Sequence, residues 1–374
     1  MQKNNADYMV PKRPFGNTGV KISKLCLGGA SFGSTDSQIL LNEALKLGVD
    51  CWEIASFTGN VYSEYFKKNP GIREKIFLSG KVYSTDPIVM QEQLNSTLED
   101  NGISFIDFLA LHSVDDTKAL TVEVRKWVEK VKKEKKIRFF GFCTHRNMDA
   151  CLSGASKLGW IDGVQTSYNY RMHNFKSMES ALQKCHAKGI GIFAVKSMGF
   201  TVQKKSELQK LPLREKLNSL LKSKNISFEQ VKLKAIWQDP FLTSICSLMP
   251  KPAILHSNAL AATDEDPLAP EIEKLLMDYA NRTGNYFCRR CNACATINAD
   301  KIPIFEIIEM LMYSRRYGKK DWVAKRFAQM PNEILGKIAD SNYSGAEKVC
   351  PQEMPITQLM KEAYLELYTD YRRP

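Results

Sequence analysis

Four cysteines in the last quarter of the sequence are spaced for metal chemistry. Cys288, Cys291 and Cys294 follow one another at C-x2-C-x2-C spacing, and a separate Cys350 precedes Pro351. A cubane iron–sulfur cluster needs four thiolates, one for each iron corner. A tight loop can offer three of them, and a distant cysteine brings the fourth, often just before a proline that turns the chain away. The pattern predicts one 4Fe–4S cluster on Cys288, Cys291, Cys294 and Cys350. A structural zinc site or chance spacing is the alternative, although zinc more often pairs two C-x2-C units across a longer gap.

A second set of reactive side chains stands at the ends of apolar runs. Glu53 ends the second run, Lys81 the third and His112 the fourth. The fifth ends in Cys143-Thr144-His145-Arg146, the sixth carries Gln165, and the seventh carries Lys196. A carboxylate can hold a lysine, a lysine can lower a neighbouring acid's pKa, and a histidine can hydrogen-bond a carbonyl oxygen. Glu53, Lys81 and His112 are therefore a candidate proton-transfer set. The plain alternative is three ordinary polar residues on a rim.

The elements that must position these residues alternate regularly. A hairpin is expected over 11–24, turning at Asn17-Thr18-Gly19. Strands follow near 25–29, 50–55, 75–82, 105–112, 137–144, 163–169, 191–197 and 244–249, each with a helix-length segment after it. A longer insertion after the seventh strand predicts one helix over 205–223. Eight strand–helix units over about 250 residues have the period and length of a (β/α)8 TIM barrel, an α/β fold whose active sites form at the C-terminal strand ends. The apolar run Phe108-Leu109-Ala110-Leu111 suits a parallel sheet buried on both faces. A doubly wound open sheet is the other candidate, but Gly28-Gly29-Ala30-Ser31-Phe32-Gly33 is not its glycine fingerprint. The proline-bearing stretch 263–270 predicts a barrel over 1–265 and a smaller, mostly helical domain over 266–374 that holds the cluster.

Composition narrows the classes. Of 374 residues, 44% are hydrophobic and 25% charged, an ordinary globular balance. No stretch reaches the roughly 18 consecutive apolar residues of a membrane helix. The first twelve residues are polar, so no signal peptide and a cytoplasmic location are expected. Of the ten cysteines, the six outside the cluster pattern sit mostly in apolar runs and read as buried free thiols. The formal charge of +12 is spread over helix faces, as in 130–136, which argues for solvated surface rather than a nucleic-acid site. An acidic protein partner or an anionic substrate is compatible with it.

The order of motifs resembles the aldo-keto reductase family. The resemblance is carried by Arg13-Pro14-Phe15-Gly16-Asn17-Thr18-Gly19, Leu27-Gly28-Gly29, Ser63-Glu64, Lys81, the run Ile106–His112 and the run Lys136–His145. The last is similar to a branch with a C-terminal ferredoxin-like domain. The cysteine pattern looks like a two-cluster ferredoxin pair reduced to one cluster. Asn298 and Ala299 stand in place of one Cys-Pro, and Asp340, Tyr343 and Ala346 in place of three further cysteines. The resemblance implies an NADPH-dependent oxidoreductase acting on a small carbonyl or alcohol substrate, with an aspartate, a tyrosine, a lysine and a histidine in its site. Lys81 and His112 match the last two, Glu53 falls on the aspartate, and Thr58 falls on the tyrosine, with Tyr62 four residues further along. Thr144 and Gln165 fall on nicotinamide-binding positions, Val195 on a ring-stacking tyrosine, Lys251 near a 2′-phosphate and Asn258-Ala259 on an adenine-binding pair. The departures at the tyrosine and adenine positions leave a second reading. In it the barrel has lost reductase activity and serves as a scaffold or electron-transfer protein, with the cluster as its redox or structural centre.

Overall fold

β-Branched and aromatic runs bounded by turn residues become strands because their side chains pack on both faces of a pleated sheet. The computed structural model describes residues 9–28, 34–54, 61–173, 175–297 and 300–368, the side chains of 34–36 excepted. Thr58 and the pair Asn298-Ala299 lie outside the described residues. Strands β1 (Lys12–Pro14) and β2 (Lys21–Ser23) pair antiparallel as the expected hairpin. Eight parallel strands follow: β3 (Leu25–Gly28), β4 (Cys51–Glu53), β5 (Phe77–Val82), β6 (Ile106–Leu111), β7 (Ile137–Thr144), β8 (Gly163–Ser167), β9 (Gly191–Val195) and β10 (Ser244–Leu248). They close into a barrel, with β10 bonded to both β9 and β3. The (β/α)8 barrel expected from the strand–helix period is the architecture observed. Among the described residues no helix is long and apolar enough to cross a membrane.

One end of the barrel is plugged by its own hairpin. Phe15 is fully buried and lies 5.2 Å from Phe77, 5.3 Å from Phe108, 5.7 Å from Phe139 and 5.4 Å from Phe193 between ring centroids. Room for the ring comes from two glycines paired in register, Gly163 on β8 and Gly191 on β9. A methyl group on Gly163 or Gly191 would overlap the Phe15 ring.

A polar network stitches neighbouring strands. Asp107 interrupts the apolar β6 run and is almost fully buried. Its carboxylate accepts from Arg73 at 2.8 Å, from Arg138 at 2.6 Å and from the Leu78 amide at 2.9 Å. Each buried charge thus has an opposite partner, the condition under which such a group is tolerated.

The chain divides into two compact units, residues 1–198 with 228–268, and residues 199–227 with 269–374. The insertion after β9 therefore groups with the C-terminal segment, so a single cut near residue 265 does not describe the division. The reason is packing. Val202 belongs to the second unit's core with Ile307, Leu311, Phe327 and Leu359. Its backbone bonds Tyr286 at 2.9 Å and Arg315 at 3.0 Å, and Arg315 also forks onto Glu362 and Glu366 at 2.6 Å each. The helix expected over 205–223 is two, Lys205–Gln209 and Pro212–Ser223. Pro212 has no amide proton and disfavours helix in the residue before it, so it begins a helix rather than continuing one. Short helices at Asn332–Leu335 and Ser344–Val349 were not expected from the sequence.

Replacing Gly191 with Ala should lower the stability of the full chain by about 1–3 kcal/mol, the usual cost of overpacking a filled core. Chemical denaturation followed by barrel tryptophan fluorescence measures it. An unchanged midpoint would mean that Phe15 can yield, and the plug would then not be rigid.

Candidate functional site

Alternation along a strand sends every second side chain into the barrel. Glu53 ends β4 opposite Ser79 of β5, and Lys81 lies two residues beyond Ser79 on the same side. Lys81 Nζ lies 2.8 Å from Glu53 Oε1 with both side chains largely buried. Gln165 of β8 reaches the same carboxylate from across the barrel, its Nε2 donating to Glu53 Oε1 at 3.1 Å and to Ser79 Oγ at 3.3 Å. Burial opposes the charge on Lys81, but the Glu53 carboxylate more than offsets it and holds the ammonium well above the ordinary lysine pKa. Gln165 Oε1 is buried and has no hydrogen-bond partner.

His112 follows β6 at the same end, its backbone amide donating to Val82 O at 2.8 Å. Burial, then the positive charge of Lys81, push its pKa down to about 4, so the imidazole is neutral near pH 7. Its Nδ1 is buried without a hydrogen-bond partner. The ring stands edge-on to Tyr83 at 5.1 Å and to His145 at 5.6 Å. Three non-glycine residues near these strand ends adopt the left-handed backbone, Ser113 (φ 57), Asn147 (φ 47) and Lys196 (φ 56). Such conformations cost free energy and concentrate where function constrains the chain.

The remaining expected residues divide. Tyr62 is fully buried, stacked on Trp52 at 5.8 Å, and its hydroxyl donates to the Glu53 carbonyl at 3.1 Å. Burial raises its pKa well above the phenol range, and its ring packs in the core against Trp52. Thr144 is buried and its hydroxyl donates to the Arg146 carbonyl at 2.8 Å. Lys251 is exposed at the start of the helix Pro252–Thr263. Asn258 is buried and donates to Ser247 Oγ at 3.1 Å, and Ala259 is buried beside it.

Cys143 and His145, which end the fifth apolar run, meet in the structure. Cys143 Sγ is 3.3 Å from His145 Nε2, and His145 Nδ1 is 2.9 Å from Ser167 Oγ. Among the described residues, His112, Cys143 and His145 bring their ligand atoms within 4.8 Å of one another. The signal in the sequence was their spacing of two at a strand end, which puts both on one face.

In the second unit, Cys288, Cys291, Cys294 and Cys350 line one pocket with Ile304, Phe305 and Met354. Burial, together with the neighbouring Cys294 and Cys350, pushes the Cys288 thiol up to about 12. Burial, then Cys291 and Cys350, raise Cys294. A single tetrahedral zinc would bring sulfurs to roughly 3.8 Å of one another, from a Zn–S bond of about 2.3 Å. The four cysteines do not form a group with all ligand atoms within 4.8 Å. Arg290 (φ 59) and Asn292 (φ 63) are left-handed within the loop, the kind of backbone that turns successive amides toward an anionic centre.

The Glu53–Lys81 pair predicts a coupling. Glu53→Gln or Lys81→Met alone should cost about 3–5 kcal/mol, because each leaves an uncompensated buried charge, and the double variant should cost less than their sum. Denaturant midpoints of the four proteins give the cycle. Strict additivity would show that the two groups do not interact.

Comparison with known proteins matches the chain, over residues 24–268, to the family described as "Aldo/keto reductase family". A curated relative, "Aldo-keto reductase family 4 member C11" from Arabidopsis thaliana, is 31% identical over 104 residues, which are 26% of this chain and 33% of the relative. The match thus spans about a third of that relative's length. With a closed eight-stranded barrel and a family match over most of its length, the chain belongs to the aldo/keto reductase family.

Proposed function

We propose that the chain interconverts a small carbonyl compound and its alcohol with NADPH, and that its second unit carries one 4Fe–4S cluster. The observation that carries the barrel reading is the hydrogen-bonded set Lys81–Glu53–Gln165 with neutral His112 beside it at the strand ends. Glu53 holds Lys81 charged and fixed. His112 offers a neutral imidazole to a substrate oxygen without adding a charge that must be desolvated. Tyr62 being committed to the Glu53 carbonyl, the proton comes from water.

The residues fit NADPH at two of its ends. The orphaned Gln165 Oε1 is an acceptor suited to a carboxamide N–H. Lys251, exposed where a helix begins, suits a 2′-phosphate. The adenine end does not match, since Asn258 and Ala259 face the core. When bound, the nicotinamide supplies or takes a hydride.

The four cysteines fit a cubane by their common pocket, their spacing and the left-handed turns between them. Such a cluster exchanges single electrons, and an electron-transfer protein is the partner it implies. The cysteines' part is to hold it and to shield it with Ile304, Phe305 and Met354. The inward-facing Asn258 and the committed Thr144 favour a second reading, a barrel without reductase activity that serves as an electron-transfer or scaffold protein around the cluster.

Two measurements separate these readings. Anaerobically purified protein should contain about four iron and four sulfide per chain, and Cys350→Ser should lose most of both. Zinc in place of iron would sink the cluster. Fluorescence titration should show NADPH binding that Gln165→Leu weakens at least tenfold. Full iron content with no binding at millimolar NADPH would select the second reading.

A further inference from the structure

We infer that His112, Cys143 and His145 form a three-ligand site for a single zinc-class metal ion in the barrel mouth. Its fourth position is open to an oxygen ligand. Three of the commonest transition-metal ligand atoms lie within 4.8 Å of one another, and Cys143 Sγ and His145 Nε2 are 3.3 Å apart. The fold brings them together. Leu111 of β6 pairs with Phe142 of β7, so His112 and Cys143 are the next residues along two bonded strands. Cys143 and His145 share a face two residues apart.

The surroundings are those of a ligand set. His145 has its Nδ1 at 2.9 Å from the buried Ser167 hydroxyl, which fixes the ring and aims Nε2 at Cys143. Metal-bound histidines are commonly oriented through their second nitrogen in this way. His112 Nδ1 is buried with no hydrogen-bond partner, a state that costs free energy unless something else engages the ring. Two imidazoles and a thiolate select a borderline-soft ion over calcium or magnesium. Three protein ligands with one position open is the pattern of catalytic zinc, whereas structural zinc takes four.

The charged neighbours are Lys81, Lys196 and Glu53. Lys81 and Glu53 neutralise one another at 2.8 Å, so the ion meets one further lysine and a thiolate that binding itself creates. This site is separate from the four-cysteine pocket in both residues and ligand type. Metal binding stands on these residues alone. Its use, to polarise a substrate oxygen where no phenol is available, rests on the oxidoreductase reading.

The test uses the full chain, purified anaerobically, its iron content recorded before and after mild chelation. Cobalt(II) is then titrated in and the difference spectrum followed. One equivalent should bind with a thiolate-to-cobalt charge-transfer band, and zinc should displace it. Cys143→Ser should abolish the band and His145→Gln should weaken binding at least a hundredfold. Ser167→Ala should weaken it about 10–100-fold, the usual effect of losing an orienting partner. Cys291→Ser should keep the band. Unchanged circular dichroism and denaturation midpoint in Cys143→Ser show that the barrel is folded, and Ser167→Ala tests the site should that variant fail to fold. The proposal is overturned by no stoichiometric binding, by a band that survives Cys143→Ser, by an affinity that Ser167→Ala leaves intact, or by a band lost in Cys291→Ser. Cobalt binding in protein that neither binds NADPH nor reduces carbonyls would uphold the site and remove the catalytic use.

Discussion

Two opposite charges buried at 2.8 Å from one another, Lys81 and Glu53, set the chemistry of the barrel mouth. Neither could be held there alone, because desolvating a single ion costs several kcal/mol. Together they also act on what surrounds them. The ammonium helps to keep His112 neutral and draws the Cys143 thiol down, although burial still leaves that thiol at about 11. The carboxylate takes one hydrogen of Gln165, and the amide oxygen of that residue is buried without a donor. A substrate or cofactor entering this mouth therefore meets a fixed cation, a neutral imidazole and an unsatisfied acceptor.

The rest of the first unit frees that end for function by making the other end rigid. Phe15 fills the far end against Gly163 and Gly191, and Asp107 of β6 holds both Arg73 and Arg138 of β7. Stability and chemistry are thereby placed on opposite faces of one barrel, as the fold's geometry permits. The left-handed residues Ser113, Asn147 and Lys196 belong to the working face.

The chain presents two sulfur-bearing sites of different kind. The four cysteines of the second unit line one pocket with apolar neighbours, and it is there that the cluster is proposed. Cys143 is paired instead with nitrogen ligands at a spacing suited to one ion. The distinction rests on ligand type, thiols alone in one and two imidazoles with one thiol in the other.

The sequence by itself pointed to the barrel, because strand and helix repeat eight times over about 250 residues and the glycine fingerprint of an open doubly wound sheet is missing. It also determined which residues end each strand, and so that Glu53, Lys81 and His112 share a mouth. The cysteine spacing was equally legible, since a C-x2-C-x2-C loop is a local feature. What only the tertiary structure decided was direction and company. Spacing along a loop cannot say that Tyr62 turns into the core, that Thr144 closes onto Arg146, or that Asn258 faces Ser247. Nor can it say that the insertion at 199–227 joins the C-terminal helices, which depends on Val202 and Arg315 meeting across more than a hundred residues. The meeting of His112 with Cys143 and His145 is of the same kind. Strand order makes them neighbours, but the rotamer that aims His145 at Cys143 is set by Ser167 on a third strand, a contact that no local pattern encodes.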